Sequence, residues 1–274
     1  MRFRVVWWRF LTYERFLMIE IRCCDIRTLK SENKFSFCFA DPPFHLDQKY
    51  AGYDDSVALS SAEWILPCWD MLGENGVLAL HGPDSLVEDY LSIPRKLGGT
   101  RIAWINWHYR FGMCSRSNWI DARCHCIFFA KGKDFIWNPE SVLVESDRVK
   151  YGDKRVAETE RGGKRLPGTI WGVPSDGPFW GRVQGGNAER WSKKNGAPID
   201  HPNQLPLVYL SRIIKAYTNP GSEVCDAFCG SGSMPLVCQA LGRNCLAVDI
   251  SKDAVGSAKL RLIKHKTLAE ERCK

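Results

Sequence analysis

Two patterns are missing from this sequence of 274 residues, and each absence excludes a class of protein. Its twelve cysteines are scattered without a regular framework and form no Cys-x-x-Cys pair, so reduced thiols are expected. The apolar segment at residues 1–17 is interrupted by Arg4, Arg9 and Arg15, which excludes a membrane span and a signal peptide. We therefore expect a cytoplasmic protein, in a bacterium or a phage-infected cell, with no membrane partner. Residues 1–17 are interpreted as an N-terminal appendage.

The composition is 45% apolar and 25% charged, which is that of an ordinary globular protein rather than a disordered one. A chain of this length can bury one substantial core, alone or with a modest insertion. The net charge of +7 favours a polyanionic partner, although many soluble proteins have a similar excess. Cys124-His125-Cys126 suggests a metal site, but it lies in the apolar run Cys124–Ala130 without a second ligand pair. A buried strand is the preferred interpretation, and no metal site is predicted.

The stretch Asp41-Pro42-Pro43-Phe44 follows a continuous apolar run, Phe35–Ala40, which is typical of a buried parallel strand. Two prolines directly after a strand end its hydrogen bonding and fix a narrow turn. That turn lies at the carboxyl end of the strand, the edge where open α/β sheets bind ligands. A planar base with an exocyclic amine would suit it, since Asp41 and the Pro42 carbonyl can each accept one N–H while Phe44 stacks on the ring. A structural turn closed by a core aromatic is the alternative interpretation.

A second group of residues lies near the C-terminus. A predicted strand, Val224–Phe228, leads into the glycine-containing loop Cys229–Ser233, a predicted helix, Met234–Leu241, and a strand that ends at Asp249. This is the layout of a nucleoside-binding half-domain, in which glycines admit the ligand and the helix N-terminus offers N–H groups. A carboxylate about twenty residues past the glycines can bind ribose hydroxyls. A dinucleotide enzyme competes, but Pro235 stands where the third glycine would fall; a structural turn is the other alternative.

The remaining apolar patterns predict further elements of an alternating α/β chain. The predicted strands are Met18–Asp25, Gly76–His81, Arg101–Tyr109 and Cys124–Ala130, and the predicted helices are Ser60–Leu72, Asp84–Leu97 and Leu207–Tyr217. Ser60-x-x-Glu63 is a capping-box signature, and Asn219-Pro220-Gly221 ends the last of these helices.

The regular alternation of predicted strands and helices stops at residues 131–200, which we call the irregular region. This region contains thirteen Lys or Arg and ten Asp or Glu residues. Basic side chains interleaved with Trp137, Trp171, Trp180 and Trp191 suit phosphate contacts and stacking on bases. A long irregular stretch within a compact enzyme is usually functional. A solvated lid with buried tryptophans is the alternative.

Together these residues resemble the S-adenosylmethionine-dependent DNA amino-methyltransferases of the permuted beta group. In that group the Asp-Pro-Pro-aromatic motif precedes the target-recognition region and the cofactor loop comes last. Here Asp41–Phe44, residues 131–200 and Asp226–Gly232 follow in the same order. The resemblance also takes in residues 107–112 and 201–204, and it covers residues 18–262.

Two positions depart from the family pattern. Ala227 replaces the proline of a usual Asp-Pro-Phe motif, and Leu205-Pro206 stands where Lys-Pro often follows the His-Pro-x-Gln stretch. The second change puts one cofactor contact in doubt, but neither change removes a group that the chemistry requires.

The resemblance implies an α/β, Rossmann-like class I methyltransferase fold with a mixed seven-stranded sheet and helices on both faces. It implies that the strand before the glycine loop lies next to the strand before Asp41. It also divides the chain into a catalytic half at 18–130, a target-recognition region at 131–200 and an S-adenosylmethionine-binding half at 201–274.

By the same resemblance, the catalytic residues are Asp41, Pro42, Pro43 and Phe44. The residues expected to contact the cofactor, S-adenosylmethionine, are Asp25, Asn203, Gln204, Asp226, Phe228, Gly230, Ser231, Gly232 and Asp249. Asp249 would hold the ribose hydroxyls and Asp25 the adenine ring, unless Asp25 is only a surface acid that ends a strand. No cysteine is assigned a nucleophilic role.

The implied reaction is site-specific methylation of double-stranded DNA at the N6 amine of a flipped adenine. Adenine enzymes of this family usually carry Asp at the first motif position, whereas cytosine amino-methyltransferases usually carry Ser. N4-cytosine methylation is the first alternative. The others are a catalytically silent nucleic-acid-binding relative and an enzyme acting on RNA or a protein amide. A homodimer and a cognate restriction enzyme are further partners that the resemblance leaves open.

Overall fold

The structure, a computed structural model, describes residues 17–32, 34–44, 49–50, 53–54, 59–113, 117, 119–173 and 189–273. Its strands are β1 (Ile19–Cys23), β2 (Phe35–Ala40), β3 (Lys49–Tyr50), β4 (Tyr53–Asp54), β5 (Leu72–Gly82), β6 (Thr100–Met113), β7 (Asp121–Ala130), β8 (Val144–Glu145), β9 (Lys164–Arg165), β10 (Ile170–Trp171), β11 (Glu223–Asp226) and β12 (Asn244–Asp249). Its helices are α1 (Ser61–Met71), α2 (Val87–Lys96), α3 (Asp147–Lys150), α4 (Lys154–Ala157), α5 (Leu207–Tyr217), α6 (Ser233–Leu241), α7 (Lys252–Lys264) and α8 (Lys266–Arg272).

The main sheet has the strand order β1-β12-β11-β2-β5-β7-β6-β10. Strands β1, β12, β11, β2 and β5 are parallel, while β7 runs antiparallel to both β5 and β6. The predicted mixed α/β sheet is confirmed, and β11 pairs with β2 as the resemblance implies. The count of seven strands is wrong by one, because two residues of the irregular region form β10 and pair with β6. A strand of two residues carries too little pattern to be seen in the sequence.

Helices cover both faces of this sheet. One face packs against α5, α6, α7 and α8, and the opposite face packs against α1 and α2. In β2, Phe37 and Phe39 face the first layer while Cys38 and Ala40 face the second. A strand buried on both faces must be apolar at every position, which is why its sequence reads as a continuous run.

Two details of the helix predictions are corrected. The Ser60 side chain makes no capping hydrogen bond to α1, and Glu63 pairs with Arg27 at 3.1 Å instead of closing a capping box. The predicted helix Asp84–Leu97 begins as a 3-10 turn at Asp84–Leu86 and becomes α-helical only from Val87. Both segments are helical as predicted, so the errors concern how each helix begins.

The tryptophans of the irregular region differ in exposure. Trp171 and Trp191 are 6% and 1% exposed, and the Trp191 indole donates to the Ser257 hydroxyl at 2.9 Å. These two rings stabilise the fold and cannot stack on nucleic acid, so that part of the prediction is wrong. Trp137 is 45% exposed, and Trp180 lies outside the described residues, as does the segment 1–16.

The eleven cysteines in the described ranges are free thiols, and most of them are buried. Within the described part of the chain, no helix is long and apolar enough to cross a bilayer.

Candidate active site

A cavity of about 1160 Å³ opens at the carboxyl ends of the parallel strands. The turn after β2 and the glycine loop after β11 both reach it because these strands are neighbours, with Asp226 opposite Phe39. The predicted site residues that line the cavity are Asp25, Asp41, Pro42, Pro43, Phe44, Asn203, Gln204, Asp226, Phe228, Gly230, Ser231 and Asp249. Only Gly232 of the predicted set lies behind the lining, packed on α7. The structure therefore brings both groups of residues to one site.

Asp41 lies one residue beyond the end of β2, on the wall of the cavity. Burial raises the pKa of its carboxyl to about 7, because a charged group is disfavoured where little water reaches it. The Phe44 ring faces His81 with a centroid distance of 6.1 Å. An acceptor and an aromatic face are thus placed together, as holding a planar amine-bearing base requires.

The glycine loop has a conformation that other residues rarely adopt. Gly230 has φ of 47° and Gly232 has φ of 78°, both in the left-handed region. A Cβ atom at position 230 would lie 2.7 Å from His201 Nε2, and one at position 232 would lie 2.8 Å from the Ala258 Cβ. The two glycines therefore let this loop pack closely against His201 and Ala258 just before α6 begins at Ser233.

Asp249 fixes this loop from the end of β12. Its carboxylate accepts the backbone N–H of Gly230 and that of Ser251, each at 2.9 Å. Burial raises the pKa of Asp249, and it raises that of Asp226 well above the usual range. Three carboxyl groups, counting Asp41, thus line one cavity; a cationic ligand would favour their charged form, and their oxygens can accept from its hydroxyl groups.

The structure modifies two predicted cofactor contacts. Both Asp25 oxygens are bound by Arg27, whose guanidinium approaches Oδ2 at 2.6 Å and whose backbone N–H donates to Oδ1 at 2.9 Å. The Gln204 amide accepts from the Trp191 N–H at 3.0 Å and donates to the Trp191 carbonyl at 2.7 Å. Both side chains line the cavity, but each first holds a part of the protein itself.

Sequence reasoning missed two residues next to the predicted site. His81, at the end of β5, lines the cavity and bonds through Nδ1 to the Tyr209 hydroxyl at 2.9 Å. Arg261 is fully buried beneath the glycine loop and donates to the Ser231 carbonyl at 3.2 Å and to the Glu189 carbonyl at 2.9 Å. The sequence did indicate a site for His81, because this residue ends a predicted strand at the edge of the sheet where ligands bind. Arg261 lies on the buried side of α7, three residues after Ala258. Its position therefore indicated burial, but a charged residue is normally expected at the surface.

Comparison with known proteins gives a consistent family. The sequence profile of the N6/N4 methyltransferase family, described as DNA methylase, matches residues 35–260. The type II methyltransferase M.HpaI of Haemophilus parainfluenzae is 27% identical over 247 residues, which are 86% of this chain and 71% of that protein. The DNA adenine methyltransferase YhdJ of Escherichia coli K12 is 24% identical over 245 residues, which are 85% of this chain and 78% of YhdJ.

Two solved structures are similar in fold. The M1.HpyAVI–SAM complex superimposes with a TM-score of 0.63 at 19% identity and covers 89% of this chain and 99% of its own. The cytosine-N4-specific PvuII DNA methyltransferase superimposes with a TM-score of 0.60 at 15% identity and covers 93% and 94%. At these identities the likeness concerns the fold alone.

Proposed function

The chain belongs to the DNA methylase family of S-adenosylmethionine-dependent enzymes that methylate N6 of adenine or N4 of cytosine, and from this premise we propose that its target is adenine. The observation that carries the proposal is the placement of Asp41, the residue type usual at this position in adenine enzymes, beside Phe44 in the cavity. A similar protein, YhdJ, is named an adenine methyltransferase, which agrees with this choice.

The cofactor side of the cavity is proposed to consist of the glycine loop, Asp226 and Asp249. When bound, S-adenosylmethionine supplies an electrophilic methyl group that leaves its sulfonium sulfur without the bonding electron pair. Each Asp249 oxygen accepts one backbone N–H and keeps a further lone pair for a ribose hydroxyl. Gly230 lets the loop pack against His201, which also lines the cavity. These residues therefore fit a cationic nucleoside.

On the target side, Asp41 and the Pro42 carbonyl would each accept one N–H of the exocyclic amine, and Phe44 would stack on the base. These bonds favour a pyramidal nitrogen whose lone pair is free to attack. The nitrogen uses that pair for the new N–C bond and then loses one of its protons to water. Catalysis comes from positioning and electrostatics, without a nucleophilic side chain. A base inside a duplex cannot reach Asp41, so the base must be flipped out.

We further propose residues 131–200 as the target-recognition region, set between a catalytic half at 18–130 and a cofactor-binding half at 201–274. Arg190 and Lys194, near the end of that region, line the cavity and offer cations to DNA phosphates. The substrate that these features fit is double-stranded DNA.

The test is transfer of a labelled methyl group to duplex DNA, RNA and protein in parallel, followed by digestion of the DNA to nucleosides and mass spectrometry. N6-methyladenine in DNA is the expected product. Finding N4-methylcytosine and no methyladenine would show that cytosine is the target instead. Cofactor binding without transfer to any acceptor would indicate a silent relative.

A further inference from the structure

We propose that His81 forms the polar floor of the target-base pocket and donates its Nε2–H to the ring nitrogen beside the reacting amine. The inference rests on the proposed function, because it concerns how the same base is held. It gives His81 two tasks, which are to align the base and to protect the ring nitrogen from methylation.

The register of the sheet places His81 beside Asp41. Strands β2 and β5 are parallel neighbours that pair Ala40 with Leu80 near their carboxyl ends. The next residue along each chain is Asp41 on one and His81 on the other. Adjacent strands lie roughly 4.8 Å apart, so the residues that directly follow this pair lie close together, and both line the cavity. A base whose amine meets Asp41 therefore has its adjoining ring edge over His81.

Packing fixes the imidazole in one orientation. Its centroid lies 6.0 Å from that of Trp107 and 5.5 Å from that of Tyr209, and the side chain is 1% exposed. Nδ1 faces the Tyr209 hydroxyl at 2.9 Å. Because Nδ1 is engaged by Tyr209, Nε2 is the ring nitrogen that we assign to a ligand in the cavity that His81 lines. A buried ring held by these two aromatic neighbours is a rigid reference for a flat ligand.

The proposed role needs the tautomer with its proton on Nε2, and the contacts of Tyr209 are compatible with it. Its hydroxyl also contacts the Cys126 thiol, and burial raises the pKa of both groups, so both keep their protons. The proposed role requires the Tyr209 O–H to donate to His81 Nδ1, which places the ring proton on Nε2 and leaves the Tyr209 oxygen to accept from the thiol. Burial, with a smaller effect of His125, lowers the pKa of His81 to about 3. The imidazole is therefore neutral and can donate without protonating the base.

The chemistry of the base makes such a donor useful. Adenine and cytosine both contain the unit N=C–NH₂, in which the amine lone pair is delocalised into the ring. The lone pair of the ring nitrogen lies in the plane and is the better nucleophile toward a methyl group. A hydrogen bond from Nε2–H occupies that pair and leaves the exocyclic amine as the reactive atom. Guanine and thymine carry an N–H next to their carbonyl carbon, so a donor at His81 would also reject them.

The decisive variant is His81→Phe, which keeps a ring and removes the donor. We expect methylation of the amine to fall roughly tenfold or more, the equivalent of losing one hydrogen bond at the reacting centre. We also expect ring-nitrogen methylation to appear among the products. His81→Gln places an N–H near the position of Nε2 and should restore amine selectivity. Nucleosides are separated by chromatography and mass spectrometry after neutral digestion, because alkali converts ring-methylated adenine to the N6 product.

Two further variants separate this role from a structural one. His125→Gln alters a histidine on β7 that accepts from the Trp104 indole at 3.0 Å and bonds to Asp84, and it should leave the product ratio unchanged. Tyr209→Phe removes the tautomer-fixing hydroxyl and should raise ring-nitrogen methylation with His81 still in place.

Cofactor affinity by calorimetry should match the wild type in all four variants. If His81→Phe lowers the rate without producing ring-nitrogen methylation, or if His81→Gln does not restore amine selectivity, then His81 only packs in the core and the inference is wrong. If the wild-type protein itself methylates no DNA amine, the proposed function fails instead.

Discussion

The backbone N–H of Gly230 donates to Asp249 Oδ2 at 2.9 Å, so the carboxylate proposed to bind the ribose also fixes the loop beside it. The Asp249→Ala change would remove both tasks together. We expect it to weaken S-adenosylmethionine binding by about 1.5–3 kcal/mol, the scale of hydrogen bonds to a charged group. Calorimetric titration measures this directly.

Asp249→Asn keeps one acceptor oxygen and should lose less affinity than Asp249→Ala. Without cofactor, the melting temperature should also fall less in Asp249→Asn than in Asp249→Ala, because one backbone N–H remains bonded. Unchanged affinity in the Ala variant would place the cofactor elsewhere in the cavity.

Gly232 tests whether close approach to α7 matters beyond its backbone conformation. Gly232 and Gly242 flank α6 with φ of 78° and 71°. Alanine at either position would therefore adopt a left-handed conformation, which costs about 1–2 kcal/mol. At Gly232 the new Cβ would meet the Ala258 Cβ at 2.8 Å, whereas at Gly242 it would have no atom of the described residues within 4 Å. We expect Gly232→Ala to lower stability more and to weaken cofactor binding, with Gly242→Ala as the matched control. Equal effects in melting and calorimetry would show that the contact at Ala258 is easily relieved.

Asp41→Ala should abolish methyl transfer while leaving cofactor affinity nearly unchanged. Asp41 is proposed to contact the target amine only, and losing such a contact at the reacting centre costs of order a hundredfold or more in rate. Single-turnover methylation and calorimetry on the same preparation separate the two quantities. A variant with near wild-type turnover would remove Asp41 from the mechanism.

The raised pKa of Asp41 predicts a pH dependence of the reaction. The charged carboxylate accepts the amine N–H more strongly than the protonated acid does, so kcat/KM for DNA should rise with pH through about 7 and then level off. A cationic cofactor favours the carboxylate and should shift this midpoint downward when it is bound. Asp41→Asn should remove this step from the profile.

The free energy of unfolding should change with pH in the opposite direction to kcat/KM. Between the ordinary pKa of 3.8 and about 7, the folded protein binds this proton more tightly than the unfolded chain does. The contribution of Asp41 to the free energy of unfolding therefore falls as pH rises through that window. Denaturant titrations of wild type and Asp41→Asn across it should converge at low pH and separate at high pH.

Much of the sheet could be predicted because its central strands are buried on both faces. That burial demands unbroken apolar runs, and the turns that end them carry Asp41, Gly230 and Asp249. Parallel neighbours place their carboxyl ends at one edge, so the meeting of these residues also follows from the sequence. The two-residue strand β10 could not be predicted, because so short a segment has no periodicity.

Other features depend on contacts that the sequence does not specify. A single histidine after an apolar run looks like a core residue until the register of β2 and β5 places His81 beside Asp41. Trp171 and Trp191 occur among basic residues, as stacking rings would, yet both are buried. Arg27 follows Asp25 by two residues, and only the turn between them shows that its guanidinium binds that carboxylate.

Gln204 gives a final test, since it was assigned to the cofactor but holds the backbone of Trp191 at both its N–H and its carbonyl. Gln204→Ala would leave both buried groups without partners, so we expect the free energy of unfolding to fall by about 1–3 kcal/mol. Cofactor affinity should decrease less than in Asp249→Ala, because the effect reaches the cavity only through the position of the chain near Trp191. Gln239→Ala is the matched control and should cost less, since its buried Oε1 has no hydrogen-bond partner among the described residues. If Gln204→Ala leaves stability unchanged and lowers affinity as strongly as Asp249→Ala, then Gln204 contacts the cofactor directly and its bonds to Trp191 give way when the cofactor binds.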